Sequence, residues 1–181
     1  TINGTLDMAG ATAIDRVING LTLNGVININ ANSVLGFDGD SAVGGTGQIV
    51  FGNTGGSNRL NLEGNGTTTI GSGITIRGQN GTIGGQAFIA GTQTLINNGL
   101  ISADVSGGTI TFTESALTNN GALRASNGAT LTVASPLTNL SDTTLSGGVY
   151  EVIAGGGTSK RGFYTGFIQG SVVGGFILSL V

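Results

Sequence analysis

Residues 95–112 read LINNGLISADVSGGTITF, and residues 117–133 repeat the plan as LTNNGALRASNGATLTV. Each segment is a short apolar run, an Asn-Gly pair, a second apolar run, a Gly- or Asn-bearing corner and a third apolar run. A later version, LTNLSDTTLSGGVYEV, occupies 137–152, and an earlier one, LTLNGVININANSVLGF, occupies 21–37. The copies that start at Leu95, Leu117 and Leu137 are about 20 residues apart, within the range of solenoid repeats. Three short strands and their corners fill one triangular coil of that length. Stacked coils place equivalent Leu, Ile and Val inside and leave Thr, Asn and Ser outside. The pattern therefore predicts an all-β parallel β-helix (β-solenoid) over 1–157, with coils of about 20 residues, followed by an apolar, Gly-rich C-terminal tail over 158–181.

Eight Asn-Gly pairs punctuate the sequence, at Asn3, Asn19, Asn24, Asn65, Asn80, Asn98, Asn120 and Asn127, more than chance placement gives. Asn and Gly both tolerate positive φ, so the pairs mark sharp corners; Asn24, Gly25, Asn98, Gly99, Asn120, Gly121, Asn127 and Gly128 are the turn positions of the repeat. The same pair is also a strong hairpin signal, which makes an antiparallel meander or sandwich the rival fold. Equivalent residues recur one unit later instead of pairing across each turn, and this favours parallel stacking.

Composition agrees. Gly makes up 36 of 181 residues, yet 38% of the sequence is hydrophobic, more than a disordered linker carries. With one Pro and no strict Gly period, collagen is excluded. Charged residues are only 8%, with a net charge of -3, and no basic cluster exists to neutralise several phosphates, so nucleic acid is not an expected partner. Cys and His are absent, which removes disulfides, Cys or His zinc sites and imidazole-based triads. A thiol-free protein is compatible with the cytosol and also suits passage through an oxidising compartment. The opening TINGTLDMAG has no basic-then-apolar leader and begins in mid-pattern, predicting a preceding coil supplied by more sequence or by a neighbour.

The phrases TTTIGSGITIRGQNGTIGG (67–85), TLINNGLISADVSGGTITF and LTNLSDTTLSGGVYEV resemble the repetitive passenger regions of bacterial surface proteins of the filamentous-haemagglutinin and autotransporter-adhesin type. The likeness covers about residues 1–155 and is one of repeat and composition. It implies a right-handed parallel β-helix, secretion to the extracellular cell surface, and a role in adhesion or matrix building, with a host or matrix ligand as partner. It supplies no catalytic motif and no cofactor.

The remaining candidates for chemistry are sparse. Asp38 and Asp40 flank Gly39 in FDGDS, a weak calcium pattern, since a full site needs roughly six or more oxygens. Glu63, Glu114 and Glu151 are isolated and Asp104 and Asp142 fall in turns, whereas a carbohydrate-active β-helix enzyme requires carboxylates meeting on one face. Arg77 and Asp104 lie about one coil apart, a spacing that predicts a surface ion pair. Thr-rich strands (TTT 67–69, TQT 92–94, TIT 109–111) suggest a Thr ladder of the ice-binding kind, but LTNNGALRA breaks its regularity. Four Asn-x-Ser/Thr sequons, at Asn3, Asn65, Asn80 and Asn139, are no more than chance gives in a sequence this rich in Ser and Thr.

In the tail, KRGFYTGFIQGSVVGGFILSLV, the basic pair Lys160-Arg161 precedes 20 uncharged residues. Gly162, Gly166, Gly170 and Gly174 recur every fourth residue, as in a small-residue packing stripe, so a membrane helix through 162–181 is one reading. Its Gly content disfavours a helix in water, and burial in β structure or against a neighbouring copy is the preferred reading. The expected function is a non-enzymatic structural or adhesive segment. Its alternatives are a fibre subunit stacking as a homo-oligomer through coil ends and tail, and a carbohydrate-active enzyme.

Overall fold

The computed structural model describes residues 1–10, 12–142 and 144–153, and the backbone of 176–179. The first coil carries β1 (Thr5–Met8), β2 (Ile14–Ile18) and β3 (Leu21–Leu23); the second carries β4 (Val26–Ile29), β5 (Val34–Asp38) and β6 (Ser41–Gly45). In the third are β7 (Gln48–Phe51), β8 (Arg59–Glu63) and β9 (Gly66–Ile70), and in the fourth β10 (Thr75–Gly78), β11 (Asn80–Ile83) and β12 (Gln93–Asn97). The fifth holds β13 (Leu100–Ala103), β14 (Thr109–Phe112) and β15 (Ala116–Asn119). A sixth holds β16 (Ala122–Ser126) and β17 (Thr130–Val133) and closes through a parallel bridge between Leu117 and Leu137. A small hairpin of β18 (Leu140–Ser141) and β19 (Thr144–Leu145) precedes β20 (Val149–Ile153), and β21 (Phe176–Ser179) is the last strand.

Three sheets run along the stack. The first is β1-β4-β7-β10-β13-β16-β20, the second β2-β5-β8-β11-β14-β17-β21 and the third β3-β6-β9-β12-β15. Neighbours in the first and third sheets are all parallel, and in the second only β21 departs, lying antiparallel on β17. The molecule is an all-β parallel β-solenoid of about six turns, and not an antiparallel sandwich.

The coil is longer than the sequence spacing predicts: about 24 residues, not about 20. Leu95, Leu117 and Leu137 do stack in register, but they belong to compact coils. Longer ones carry extra residues at corners, chiefly 52–58 between β7 and β8 and 84–92 between β11 and β12. Nor does the copy at 21–37 share its register. Leu21 stacks on Val43, Ile70 and then Asn97, not on Leu95. From the fourth coil onward the corner leading into the first sheet is shorter, so aligning the Asn-Gly pairs displaces the strands before them.

Strand alternation sends every second side chain inward, and stacking turns each inward position into a column. Ile27, Ile49, Ile76, Ile101 and Leu123 are successive partners in the first sheet and all are 0% exposed. Leu35, Leu60, Ile83, Phe112 and Val133 form the matching column of the second sheet. Burying each such side chain contributes about 1.5–3 kcal/mol, which offsets the ordering of many Gly residues.

The corners obey a different rule from the expected one. Asn127 and Gly128 have positive φ, 56° and 75°. Asn24, Gly25, Asn98, Gly99, Asn120 and Gly121 do not; these pairs turn the backbone from the third sheet into the first in ordinary geometry. Gly is required there by close approach, since a Cβ on Gly121 would overlap the Gly99 carbonyl oxygen of the coil below.

Stacking of this kind makes three substitutions informative. Ile76→Ala lowers stability by about 3 kcal/mol, measured by urea unfolding. Gly121→Ala costs about 1–3 kcal/mol by forcing adjacent coils apart, whereas Gly56→Ala, where a Cβ would meet nothing within 4 Å, changes stability by less than about 0.5 kcal/mol.

Candidate functional site

The most concentrated chemistry lies on the outer face of the second sheet, in the first three coils. Register places Arg16, Gly36 and Asn61 in one column and Ile18, Asp38 and Glu63 in the next outward-facing one. Gly36 has no side chain, so the Arg16 stem and the Glu63 carboxyl close over it, each within 3.7 Å of where its Cβ would stand. Across this gap the Arg16 guanidinium reaches Asp38 Oδ2 at 3.1 Å and Glu63 Oε2 at 3.2 Å. One cation thereby ties together two carboxylates from successive rungs.

Segment 84–92 folds over this cluster. Ala87 N donates to Glu63 Oε1 at 3.3 Å, Gly64 N donates to the Ile89 carbonyl at 2.9 Å, and the Arg16 guanidinium lies 6.0 Å from the centre of the Phe88 ring. Gln86 and Gln93 brace the segment. Gln86 Nε2 donates to Gln93 Oε1 at 2.9 Å, and Gln93 Nε2 donates to the Gly64 and Gly91 carbonyls at 2.6 Å. Glu63 is buried as a result, while Phe88 is 52% exposed, and Ile14, Ile18 and Ile89 are also exposed. Paired carboxylates do meet here, which sequence reasoning did not find because Arg16, Asp38 and Glu63 sit in three different coils. Both are held by the same guanidinium, so the arrangement fastens coil to coil and segment to sheet.

Asp38 and Asp40 do not converge on a metal-like cage. Asp38 is committed to Arg16, and Asp40 Oδ1 accepts from Thr67 N of the next coil at 2.8 Å. Among the described residues no group of three or more acidic side chains is placed to hold a metal. Arg77 and Asp104 pair at 2.7 Å, as their spacing predicts. Arg124 and Glu151 also pair at 2.7 Å; they are direct rung partners with the same 27-residue separation as Arg77 and Asp104.

Thr109 and Thr111 stand in register with Thr130 and Thr132, and the Thr111 column continues to Thr82 before Arg59 ends it. The Thr-x-Thr register that LTNNGALRA conceals is thus present on the second sheet, over two full rungs. The Asn doublets 97–98 and 119–120 divide their work. Asn97 Nδ2 donates to Asn119 Oδ1 at 2.8 Å in a buried stack, and Asn120 Nδ2 donates to Asn98 Oδ1 at 3.0 Å outside. The repeated Asn-Asn-Gly was the signal for this; it reads as a corner, but its first Asn points in.

Glu114 is buried at the corner between the second and third sheets. Burial pushes its pKa up to about 8, against the opposing pull of its own backbone, the Thr113 backbone amide and the Ser135 hydroxyl. Gly162, Gly166, Gly170 and Gly174 lie outside the described residues. Residues 176–179 form a strand, and no helix among the described residues is long and apolar enough to cross a membrane. In comparisons with known proteins, the sequence matches no family model, no curated protein and no solved structure.

Two outcomes test the roles of these buried carboxyls. Arg16→Ala strands the buried Glu63 carboxylate and costs about 3 kcal/mol in urea unfolding, whereas Arg77→Ala, at a more exposed pair, costs less than about 1 kcal/mol. Glu114 keeps its proton in the folded protein up to about pH 8 but releases it near 4.5 when unfolded. Between those values the folded state holds the extra proton, so stability falls as pH rises, by up to about 1.4 kcal/mol per unit. Glu114→Gln removes that slope and is the more stable protein at pH 8, measured by thermal unfolding across the range.

Proposed function

We propose that this protein is a non-enzymatic structural or adhesive segment of a secreted bacterial cell-surface protein, a rigid spacer that presents side chains along its faces. The observation that carries this reading is the use of its charges. Arg16, Arg77 and Arg124 each bind a carboxylate one coil away, so the ionic groups join neighbouring turns instead of converging on an open cleft. The stacked apolar columns favour length over a pocket. The resemblance of the repeats to adhesin passenger regions supports the surface location. Phe88, Ile89, Ile14 and Ile18 supply the apolar contacts such a face would offer a matrix ligand.

Protease treatment of intact producing cells tests the location. The proposal expects peptides of this protein to be released while cytoplasmic markers stay intact; retention of the whole polypeptide behind the cell envelope would overturn it. The purified protein is expected to leave a panel of acidic and neutral polysaccharides uncut, and to sediment as a single small species. Depolymerisation of any polysaccharide would favour the enzyme reading, and concentration-dependent polymers the fibre reading.

A further inference from the structure

The eight Asn-Gly pairs carry a reactivity of their own. In such a pair the Gly amide nitrogen, once base has removed its proton, can attack the carboxamide carbon (Cγ) of the Asn. Gly suits this step because it has no side chain to obstruct the approach. A new bond from the Gly nitrogen to Cγ closes a five-membered succinimide, the Cγ–Nδ2 bond breaks, and that nitrogen leaves as ammonia. Water then opens the ring at either carbonyl, giving Asp or isoaspartate. A Gly amide already donating to a neighbouring rung must first lose that bond, and an Asn carboxamide that is hydrogen-bonded must be released before it can turn toward the backbone.

Most of the pairs are held in one of these ways. Gly25 N donates to the Ile2 carbonyl at 3.2 Å, Gly66 N to the Thr92 carbonyl at 3.1 Å, Gly99 N to Asn97 Oδ1 at 3.1 Å and Gly121 N to the Asn97 carbonyl at 2.9 Å. Gly81 lies inside β11 with the Phe51 ring packed against it. Asn3 Oδ1 accepts from Asn24 Nδ2 at 2.9 Å, and Asn127 Nδ2 donates to the Asp104 carbonyl at 3.1 Å. Asn19 is different. It sits exposed at the corner between β2 and β3 with φ 67°, followed by Gly20 at φ 86°. Among the described residues neither its side chain nor the Gly20 amide makes a hydrogen bond.

We propose that Asn19-Gly20 is a site of spontaneous succinimide formation and conversion to Asp or isoaspartate. The product places a new carboxylate at the corner whose next coil already carries Asp38 and Asp40, since Ile18 and Asp38 are rung partners. The isoaspartate form also adds a methylene to the backbone between β2 and β3. The site is thus a slow, irreversible charge change on the same side of the solenoid as the Arg16 cluster.

The test is incubation of the native protein in mildly alkaline buffer, followed by peptide mapping with mass spectrometry and enzymatic labelling of isoaspartate. Asn19 is expected to convert about tenfold faster than Asn98 or Asn120, the factor that one hydrogen bond from the Gly amide supplies, local at Gly99 and to the neighbouring rung at Gly121. In denaturant the pairs are expected to converge toward similar rates, and Asn19→Gln is expected to abolish the fast release of ammonia from the native protein. Conversion at Asn19 no faster than at Asn98 in the native state would overturn the proposal. So would a preference for Asn19 that persists unchanged in denaturant, because local sequence and not the fold would then set it.

Discussion

Parallel hydrogen bonding joins each coil to the next in fixed register, and packing, corners and charge pairs all follow from it. A parallel ladder keeps each residue directly beside its counterpart one turn away, so the nearest tertiary neighbours of any residue are equivalent residues and not partners across a hairpin. This lines up the apolar residues, Leu, Ile, Val and Phe, in inward columns. It also decides what a corner tolerates: where Gly121 passes Gly99 there is no room for a Cβ. The apolar columns supply the free energy, while the ladder decides which atoms meet.

The same constraint turns isolated polar residues into pairs. Arg124 and Glu151 are far apart in sequence and adjacent in the sheet. Asn97 and Asn119 share a buried hydrogen bond because stacking brings two amides into line, and backbone groups of neighbouring residues complete their bonding, as burial of an amide requires. Departures from the rule fall where the coil is interrupted. Segment 84–92 leaves the regular path, covers Glu63 and creates the Arg16 cluster. Glu114 lies beside the base of that segment, since a Cβ on Gly84 would stand within 2.8 Å of its Oε2.

Much of the fold was legible in the sequence because stacking leaves a periodic trace. Leu95, Leu117 and Leu137 line up in sequence and in space, and the one-coil offset between Arg77 and Asp104 was enough to pair them. The repeat spacing understates coil length because the most recognisable copies are the compact ones. Asn-Gly pairs misplace the register of Leu21 because they align well across a corner of changed length. The Arg16, Asp38 and Glu63 cluster was not legible at all: it needs the register of three coils, the missing side chain of Gly36 and a covering segment with no repeat of its own. Gly at the Asn24, Asn98 and Asn120 corners was expected for its positive φ, yet it is demanded by a neighbouring coil that no single repeat reveals.

Nuclear Overhauser contacts of the Ile101 methyl groups distinguish stacked coils from paired hairpins. The parallel register predicts methyl contacts to Ile76 on one side and Leu123 on the other, the rung partners of Ile101 in the coils before and after. Contacts instead to residues just across the Asn98-Gly99 turn, in the pattern of an antiparallel hairpin, would contradict it.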